Sequence, residues 1–195
     1  MPVEEEGRKR SRKKKSQEEE PFSLKKEIIS WIQIIVAAVA IAMVLNNFII
    51  ANSRVPTGSM ETTIMAKSRV IGSRLSYINS DPERGDVVIF HFPDDLTGKT
   101  YYVKRIIGMP GETVNVVDGK VYIDGSETPL DEPYLPEPME GSYGPYTVPE
   151  GCYFMMGDNR NNSMDARFWK NKFVEKDKII AKVLFCYFPR IEMIK

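Results

Sequence analysis

Histidine and cysteine are scarce in this chain, and their scarcity excludes several kinds of centre. The 195 residues include one histidine, His91, and two cysteines, Cys152 and Cys186. Because His91 lies in the apolar run VIFHFP, away from any nucleophile motif, a Ser-His-Asp or Cys-His centre is not expected, and a His/Cys metal site lacks ligands. Two cysteines do not make a disulfide-rich scaffold, but they leave open both a single bridge and two free buried thiols.

The net charge is zero, since 27 Lys and Arg balance 27 Asp and Glu. A zero net charge argues against a nucleic-acid-binding protein. The charges are unevenly placed. Residues 1–26 carry nine basic and six acidic side chains, residues 28–50 carry none, and residues 51–195 carry 18 basic against 20 acidic ones. The charged head, residues 1–27, is predicted to be a disordered tail, with attraction to lipid headgroups as a secondary possibility.

The uncharged stretch reads IISWIQIIVAAVAIAMVLNNFII, with four polar residues among 23. As a helix it would be roughly 34 Å long, enough to cross a hydrocarbon core of about 30 Å. A cleavable secretory signal has a shorter apolar region, a short basic leader and small residues at its cut site. Here the leader is 26 residues long and the stretch ends in NNFIIANS, so residues 28–50 are predicted to form a retained transmembrane helix.

Basic residues flanking the helix predict its orientation. Nine precede it, and only Arg54, Lys67 and Arg69 fall within the 20 residues that follow. Because Lys and Arg resist translocation, the amino terminus is expected in the cytoplasm. Residues 51–195 would then form an extracytoplasmic domain of a single-pass protein of the cell membrane.

That domain has no sustained helical stripe, and short runs of β-branched and aromatic residues predict strands instead. The predicted strands span 69–78, 85–92, 100–107, 113–117, 120–123, 146–156 and 178–188. Asp118-Gly119 separates two of them with the composition of a two-residue hairpin. Residues 126–149, rich in proline and acidic side chains, are predicted to be a long surface excursion without a strand. The pattern indicates a mainly antiparallel sandwich or barrel.

Three segments are more specialised than their surroundings. In SRVPTGSM, Pro56 and Gly58 are expected to present Ser59 on an exposed turn. In YYVKRIIGMPGE, Lys104 and Arg105 interrupt an apolar strand, so alternation should turn one of them inward. The third segment, GDNRNNSMDAR, is rich in side chains that bond to nearby backbone. Taken singly, they also fit a turn, a charged edge strand and a polar loop.

Together these segments resemble the bacterial type I signal peptidases, or leader peptidases, in the short single-anchor form common in Gram-positive bacteria. The resemblance rests on S-x-V-P-T-G-S-M, R-G-D-V-V, Y-V-K-R-I-I-G-x-P-G-E and G-D-N-R-x-N-S-x-D-x-R, in this order after one hydrophobic segment. It implies a mainly antiparallel, barrel-like β catalytic domain with a smaller β subdomain, expected within residues 112–150.

The resemblance implies a serine nucleophile at Ser59 and a lysine general base at Lys104. It also implies an oxyanion hole made by the backbone N–H of Ser59 and the hydroxyl of Thr57, where many relatives have serine. Free lysine, with a pKa of about 10.4, is protonated near neutral pH, so Lys104 must be buried among apolar neighbours to lose its proton near pH 8. Arg105 cannot replace it, because a guanidinium stays protonated.

Further roles follow from the same resemblance. Ser163 would orient Lys104, and Asp165 with Arg167 would hold the third segment in place. The substrate pocket would be lined by Val55, Pro56, Met60, Tyr102 and Val103. No metal and no organic cofactor is implied.

The implied activity is that of a membrane-anchored serine endopeptidase that removes signal peptides from exported preproteins, cleaving after small residues in an A-x-A pattern. Its partners would be such preproteins and the lipid bilayer, and no nucleic acid. One alternative is a processing peptidase for a narrow class of surface proteins such as pilins. Another is a catalytically silent membrane-tethered binding module, which the presence of both Ser59 and Lys104 disfavours.

Overall fold

The computed structural model describes residues 24–194, so nearly all of the predicted charged tail lies outside the described residues. Helix α1 spans Leu24–Val44 and continues as a π-helical segment, Leu45–Ile49. By length and composition, it is the one helix among residues 24–194 that could cross a membrane. The predicted apolar helix is therefore confirmed, although its end was placed one residue too late, because Ile50 already belongs to a strand.

Eleven strands follow within the described part of the chain. They are β1 Ile50–Val55, β2 Ser68–Ser73, β3 Val87–His91, β4 Tyr101–Gly108, β5 Thr113–Val117, β6 Lys120–Ile123, β7 Tyr143–Thr147, β8 Cys152–Met156, β9 Phe173–Glu175, β10 Ile179–Phe188 and β11 Glu192–Met193. Short 3-10 turns lie at Leu75–Tyr77, Arg160–Asn162 and Lys176–Lys178. One sheet has the order β1-β2-β10-β3-β4-β8-β9, with β11 on β10, and a second has the order β6-β5-β7. Their pairing is antiparallel, so the mainly β, antiparallel fold is confirmed.

The three-stranded sheet is the smaller β unit that was expected within residues 112–150. Strands β5 and β6 match their predicted bounds. They are joined by Asp118 and Gly119, with φ of 47° and 76°. Positive φ at both central residues is what a type I′ hairpin turn requires, and Asp-Gly supplies it.

The prediction around the third strand of this sheet was wrong. Residues 146–156 are not one strand, because β7 ends at Thr147 and β8 begins at Cys152. Strand β7 also lies inside the excursion that was predicted to contain no strand. Pro145 is tolerated there because β7 is an edge strand, where a missing N–H can face away from the ladder. The predicted strand 69–78 is shorter than expected, since Leu75–Tyr77 forms a 3-10 turn.

Strands β1, β9 and β11 were not predicted. The sequence of β1, IANSRV, is too polar to stand out as a strand, and its pairing with β2 along all six residues defines it. Strands β9 and β11 have three and two residues, too few for a repeating pattern. Context from neighbouring strands therefore decides all three.

Apolar side chains cover both faces of the larger sheet. In β3, Val88 and Phe90 belong to one core, whereas Val87 and Ile89 belong to a second. The first core includes residues of the smaller sheet, such as Val114, which cover that face. In a strand that is buried on both faces, two adjacent side chains can both be buried, one on each face. The same applies to Lys104 and Arg105 of β4.

Both cysteines are free thiols, Cys152 half-buried and Cys186 buried. The structure therefore has two free thiols and not the disulfide bridge, which was the other possibility. His91 ends β3, half-buried, with its ring centroid 4.8 Å from that of Tyr101.

Candidate active site

The turn that carries Ser59, residues 56–60, directly follows β1. Pro56 and Thr57 are exposed, as a turn would be, but Ser59 is only 7% exposed. The third segment covers it, because the backbone N–H of Asn159 donates to Ser59 O at 3.1 Å and Asn159 Nδ2 donates to Gly58 O at 3.0 Å. The prediction of an exposed serine was therefore wrong, and Ser59 lies in the floor of a cleft.

Strand β4 brings Lys104 to this serine. Lys104 Nζ lies 2.5 Å from Ser59 Oγ, and the lysine is 3% exposed. Burial lowers the pKa of Lys104 to about 8, against a smaller raising effect of the carboxylates of Asp165 and Asp158 and with a further lowering effect of Arg167. About half of the Lys104 side chains are therefore neutral at pH 8, and a neutral amine can accept the proton of a hydroxyl.

The neighbouring Arg105 is also buried, contrary to the expectation that only one of the two cations would face inward. Its Nε and Nη2 donate to the two carboxylate oxygens of Asp158 at 2.9 and 2.7 Å, and its Nη1 donates to Gly85 O at 2.7 Å. Its guanidinium also lies 3.9 Å from the ring centroid of Tyr134. The permanent cation is thus neutralised by Asp158, while the titratable amine of Lys104 reaches Ser59.

Asp158 has a further partner in the loop after Ser59, since Thr63 Oγ1 donates to Asp158 Oδ2 at 2.5 Å. The buried carboxylate therefore joins β4, the loop after Ser59 and the third segment. Neither Asp158 nor Arg105 was predicted to have a role beyond the motif itself. The sequence signal that pointed to a buried carboxylate was an arginine in an apolar strand, because a buried cation needs a carboxylate partner.

Thr57 lies at the mouth of the site. Its Oγ1 is 3.4 Å from Ser59 Oγ, so its hydroxyl stands beside the oxygen that would attack a carbonyl carbon. Because Thr57 is exposed to the cleft, its O–H is free to turn toward a bound substrate.

Ser163 is buried behind the site, but its hydroxyl has no hydrogen-bond partner among the described residues. The bond to Lys104 that the resemblance implies is therefore not made in this structure. Gly157 lies against the same hydroxyl: a Cβ there would stand 2.3 Å from Ser163 Oγ and 2.4 Å from Ser59 O. Only glycine lets the third segment approach both serines so closely.

Asp165 and Arg167 form a buried bidentate ion pair, with Arg167 Nε and Nη2 each 2.8 Å from a carboxylate oxygen. Asp165 Oδ2 also accepts the backbone N–H of Gly157 at 3.0 Å, and Arg167 Nη2 donates to Arg160 O at 2.6 Å. These bonds tie the two ends of the segment together.

The proline-rich excursion holds the same segment from outside. The guanidinium of Arg160, buried, forms an ion pair with Glu132, and its Nη1 donates to Glu132 Oε2 at 3.0 Å. Asn161 Nδ2 donates to Pro138 O at 3.1 Å. This support was not predicted, because nothing in a run of acidic residues marks which carboxylate is buried.

Beside Ser59 and Lys104 lies a cleft of about 340 Å³. It is lined by Arg54, Val55, Pro56, Thr57, Gly58, Ser59, Tyr101, Tyr102, Val103, Lys104, Asn162 and Met164. Four of the five expected pocket residues are among them. Met60 is not, because it is fully buried in the second core, and its expected place in the pocket was wrong.

Two strand edges along the cleft are unpaired. Strand β1 pairs with β2 on one side and has no strand on the other among the described residues. In β4, Tyr101–Lys104 pair with β3, whereas pairing with β8 begins only at Arg105. An extended peptide could therefore bond to either edge. In the part of the chain that the structure describes, no group of three or more His, Cys, Asp or Glu side chains could hold a metal ion.

The chain is similar to known proteins along most of its length. Residues 28–188 match the family described as signal peptidase, peptidase S26. "Signal peptidase I S" of Bacillus subtilis (strain 168) is 38% identical over 188 residues, covering 90% of this chain and 97% of that relative. "Probable signal peptidase I-2" of Synechocystis sp. is 37% identical over 166 residues, covering 82% of this chain and 74% of that relative. Among solved structures, a signal peptidase I from Enterococcus faecalis V583 is 32% identical, with a TM-score of 0.44, and covers 53% of this chain and 97% of that one.

Proposed function

Because the chain belongs to the signal peptidase family, peptidase S26, and is a serine endopeptidase of that family, we propose that it removes signal peptides from exported preproteins with Ser59 as nucleophile and Lys104 as general base. The observation that carries this proposal is the buried contact of 2.5 Å between Lys104 Nζ and Ser59 Oγ. With a pKa of about 8, Lys104 supplies a neutral amine at a pH where an exposed lysine would be fully charged.

The chemistry follows from this contact. Ser59 Oγ attacks the carbonyl carbon of the bond to be cleaved, its proton passes to Lys104 Nζ, and the carbonyl electron pair moves to the oxygen. The hydroxyl of Thr57 and the backbone N–H of Ser59 stabilise that oxyanion. Lys104 then donates the proton to the leaving amine, which departs as the C–N bond breaks. A water molecule, deprotonated by Lys104, hydrolyses the acyl-enzyme and restores Ser59.

Substrate binding uses the two unpaired edges of β1 and β4. The part of the signal peptide before the cleaved bond would add as a strand, bonding through its backbone to these edges. The walls beside Ser59 are apolar, being formed by Val55, Pro56 and Val103. Apolar walls suit small apolar side chains, which supports cleavage after an A-x-A pattern.

The apolar helix is proposed to anchor the enzyme in the cell membrane, with residues 1–27 in the cytoplasm and residues 51–195 outside. The excess of basic residues before the helix supports this orientation. An anchored enzyme works close to the bilayer, where a preprotein is held by its own apolar signal sequence. The bilayer and the preprotein are thus its proposed partners.

The test uses the full chain in detergent or lipid, mixed with several preproteins, with the new amino terminus of each product sequenced. Wild type is expected to cleave after small residues, whereas Ser59→Ala and Lys104→Met are expected to release no product. Ser80→Ala and Lys120→Met, at exposed positions, serve as matched controls and should cleave like wild type. Cleavage near the wild-type rate by Lys104→Met would overturn the lysine mechanism. Products from one class of preprotein alone would instead indicate the narrower processing peptidase.

A further inference from the structure

The open edge of β4 ends at the catalytic lysine. Among residues 24–194 no strand pairs with Tyr101–Lys104 on the cleft side, but Arg105 is already paired with Met156 of β8. A peptide added to the open edge can therefore follow β4 only as far as Lys104. The half of the substrate that follows the cleaved bond must leave the edge there and pass the segment after β8, residues 157–167.

Met164 of that segment lies on the cleft wall. The backbone at Ser163 is extended, with φ −129° and ψ 121°, so neighbouring side chains point to opposite sides. Ser163 and Asp165 are accordingly buried, while Met164 is 67% exposed. Its thioether chain is the part of this segment that faces a passing substrate together with Asn162.

The backbone of Met164 is held firmly although its side chain is free. Trp169 Nε1 donates to Met164 O at 3.1 Å. The indole is buried, and its ring centroid lies 5.9 Å from that of Tyr102, which lines the cleft from β4. Trp169 thus links the backbone of Met164 to the wall formed by Tyr102, and the unbranched, exposed side chain of Met164 is left to adapt to what lies in the cleft.

We propose that Met164 forms the wall of the subsite for the first residue of the released protein, the residue directly after the cleaved bond, and limits the size of that residue. The inference rests on the proposed cleavage by Ser59 and Lys104. A flexible, apolar side chain in this place accepts small and medium residues and slows the cleavage of substrates with a large one.

The experiment compares preproteins that differ only in this residue, being Ala, Phe, Glu or Lys, with the full-length enzyme in lipid. Met164→Ala is expected to raise the Phe-to-Ala ratio of kcat/KM by about threefold or more, less than the tenfold or more that a closed pocket gives per methylene. Met164→Glu is expected to raise the Lys-to-Glu ratio, through charge alone. Met193→Ala is the matched control, since Met193 is also 67% exposed but lies outside the cleft.

Unchanged ratios in both Met164 variants, or equal shifts in Met193→Ala, overturn the inference while leaving the peptidase activity in place. Failure of wild type to cleave any of the preproteins, or cleavage by Ser59→Ala, would overturn the proposed function itself. The two failures are therefore distinguishable within one set of assays.

Discussion

Lys104 Nζ and Ser59 Oγ lie 2.5 Å apart although 45 positions separate the two residues in the chain. In the proposed mechanism this contact places a base beside the nucleophile without the imidazole that most serine peptidases use. Burial alone would favour the neutral amine, and the two nearby carboxylates, Asp165 and Asp158, limit that effect. The balance leaves a pKa near 8, so the protonation state of Lys104 controls the first two of the four predictions that follow.

The pH dependence of cleavage should follow the deprotonation of Lys104. Below its pKa of about 8, kcat/KM should fall about tenfold per pH unit, and above it the rate should level off. Asp158→Asn removes a charge that raises the pKa of Lys104, so the pH range over which kcat/KM falls should move to lower pH. Asp177→Asn, at an exposed position, should leave that range unchanged. A profile that is flat from about pH 6 to 10 would contradict a lysine base.

Lys104→Met should be inactive and yet more stable than wild type at neutral pH. The folded-state pKa lies below the value of 10.5 of an unperturbed lysine, so at pH 7 the folded protein bears the full cost of a buried ammonium. That cost is about 3 kcal/mol. Wild type gains stability as pH rises from about 8 to 10.5, because the folded state releases its proton first, and the advantage of the variant should shrink over this window.

Urea unfolding of the full chain in detergent at several pH values measures this difference. Lys120→Met, at an exposed position of β6, is the control and should show no such pH-dependent advantage. A Lys104→Met protein that is less stable than wild type at pH 7 would be evidence against a destabilising buried charge.

Thr57→Val should lower kcat by roughly 100- to 1,000-fold, because it removes one oxyanion donor while keeping the shape of the side chain. Thr57→Ser keeps the hydroxyl and should stay within a few-fold of wild type. Thr62→Val, at an exposed position of the next turn, should have no effect. Steady-state kinetics on one preprotein distinguishes these cases, and equal rates for Thr57→Val and wild type would remove Thr57 from the oxyanion hole.

Gly157→Ala should abolish cleavage, since the added methyl group would stand 2.3 Å from Ser163 Oγ and 2.4 Å from a backbone oxygen, that of Ser59. A backbone atom cannot turn aside as a side chain can, so the segment must shift away from the nucleophile. Gly151→Ala has open space around its Cβ and is the control: it should lose some stability, because its φ is 72°, but keep its activity. An active Gly157→Ala protein would show that the close approach is dispensable.

Local sequence pattern predicted the parts of the fold that local pattern governs. The hairpin at Asp118-Gly119 lies where its turn residues require it, and β5 and β6 have their predicted bounds. It did not predict β1, whose polar residues form a strand because β2 is beside them. Local pattern did not predict β7 either. Pro145 argues against a strand inside a sheet, but β7 is an edge strand, where a proline is tolerated.

The site residues were likewise predicted in part. Ser59 and Lys104 were singled out by motifs, and the structure brings them together. Alternation failed for Arg105, because it assumes one wet face and this sheet has apolar cores on both. The carboxylate partners of buried arginines, such as Glu132 for Arg160, depend on tertiary contacts that no spacing encodes.

The ion pair between Arg105 and Asp158 also selects the register of β4. A slip of one residue would bring Arg105 to the place of Lys104, and Ile106 to the place of Arg105, and so put a guanidinium, which never loses its proton, against Ser59. Hydrophobicity alone resists such a slip weakly, because both faces of the sheet accept apolar side chains. The misaligned strand would instead leave the buried carboxylate of Asp158 without its bidentate partner, which costs about 3 to 5 kcal/mol. Charge matching in the core thus keeps the titratable amine of Lys104, and not a permanent cation, beside Ser59.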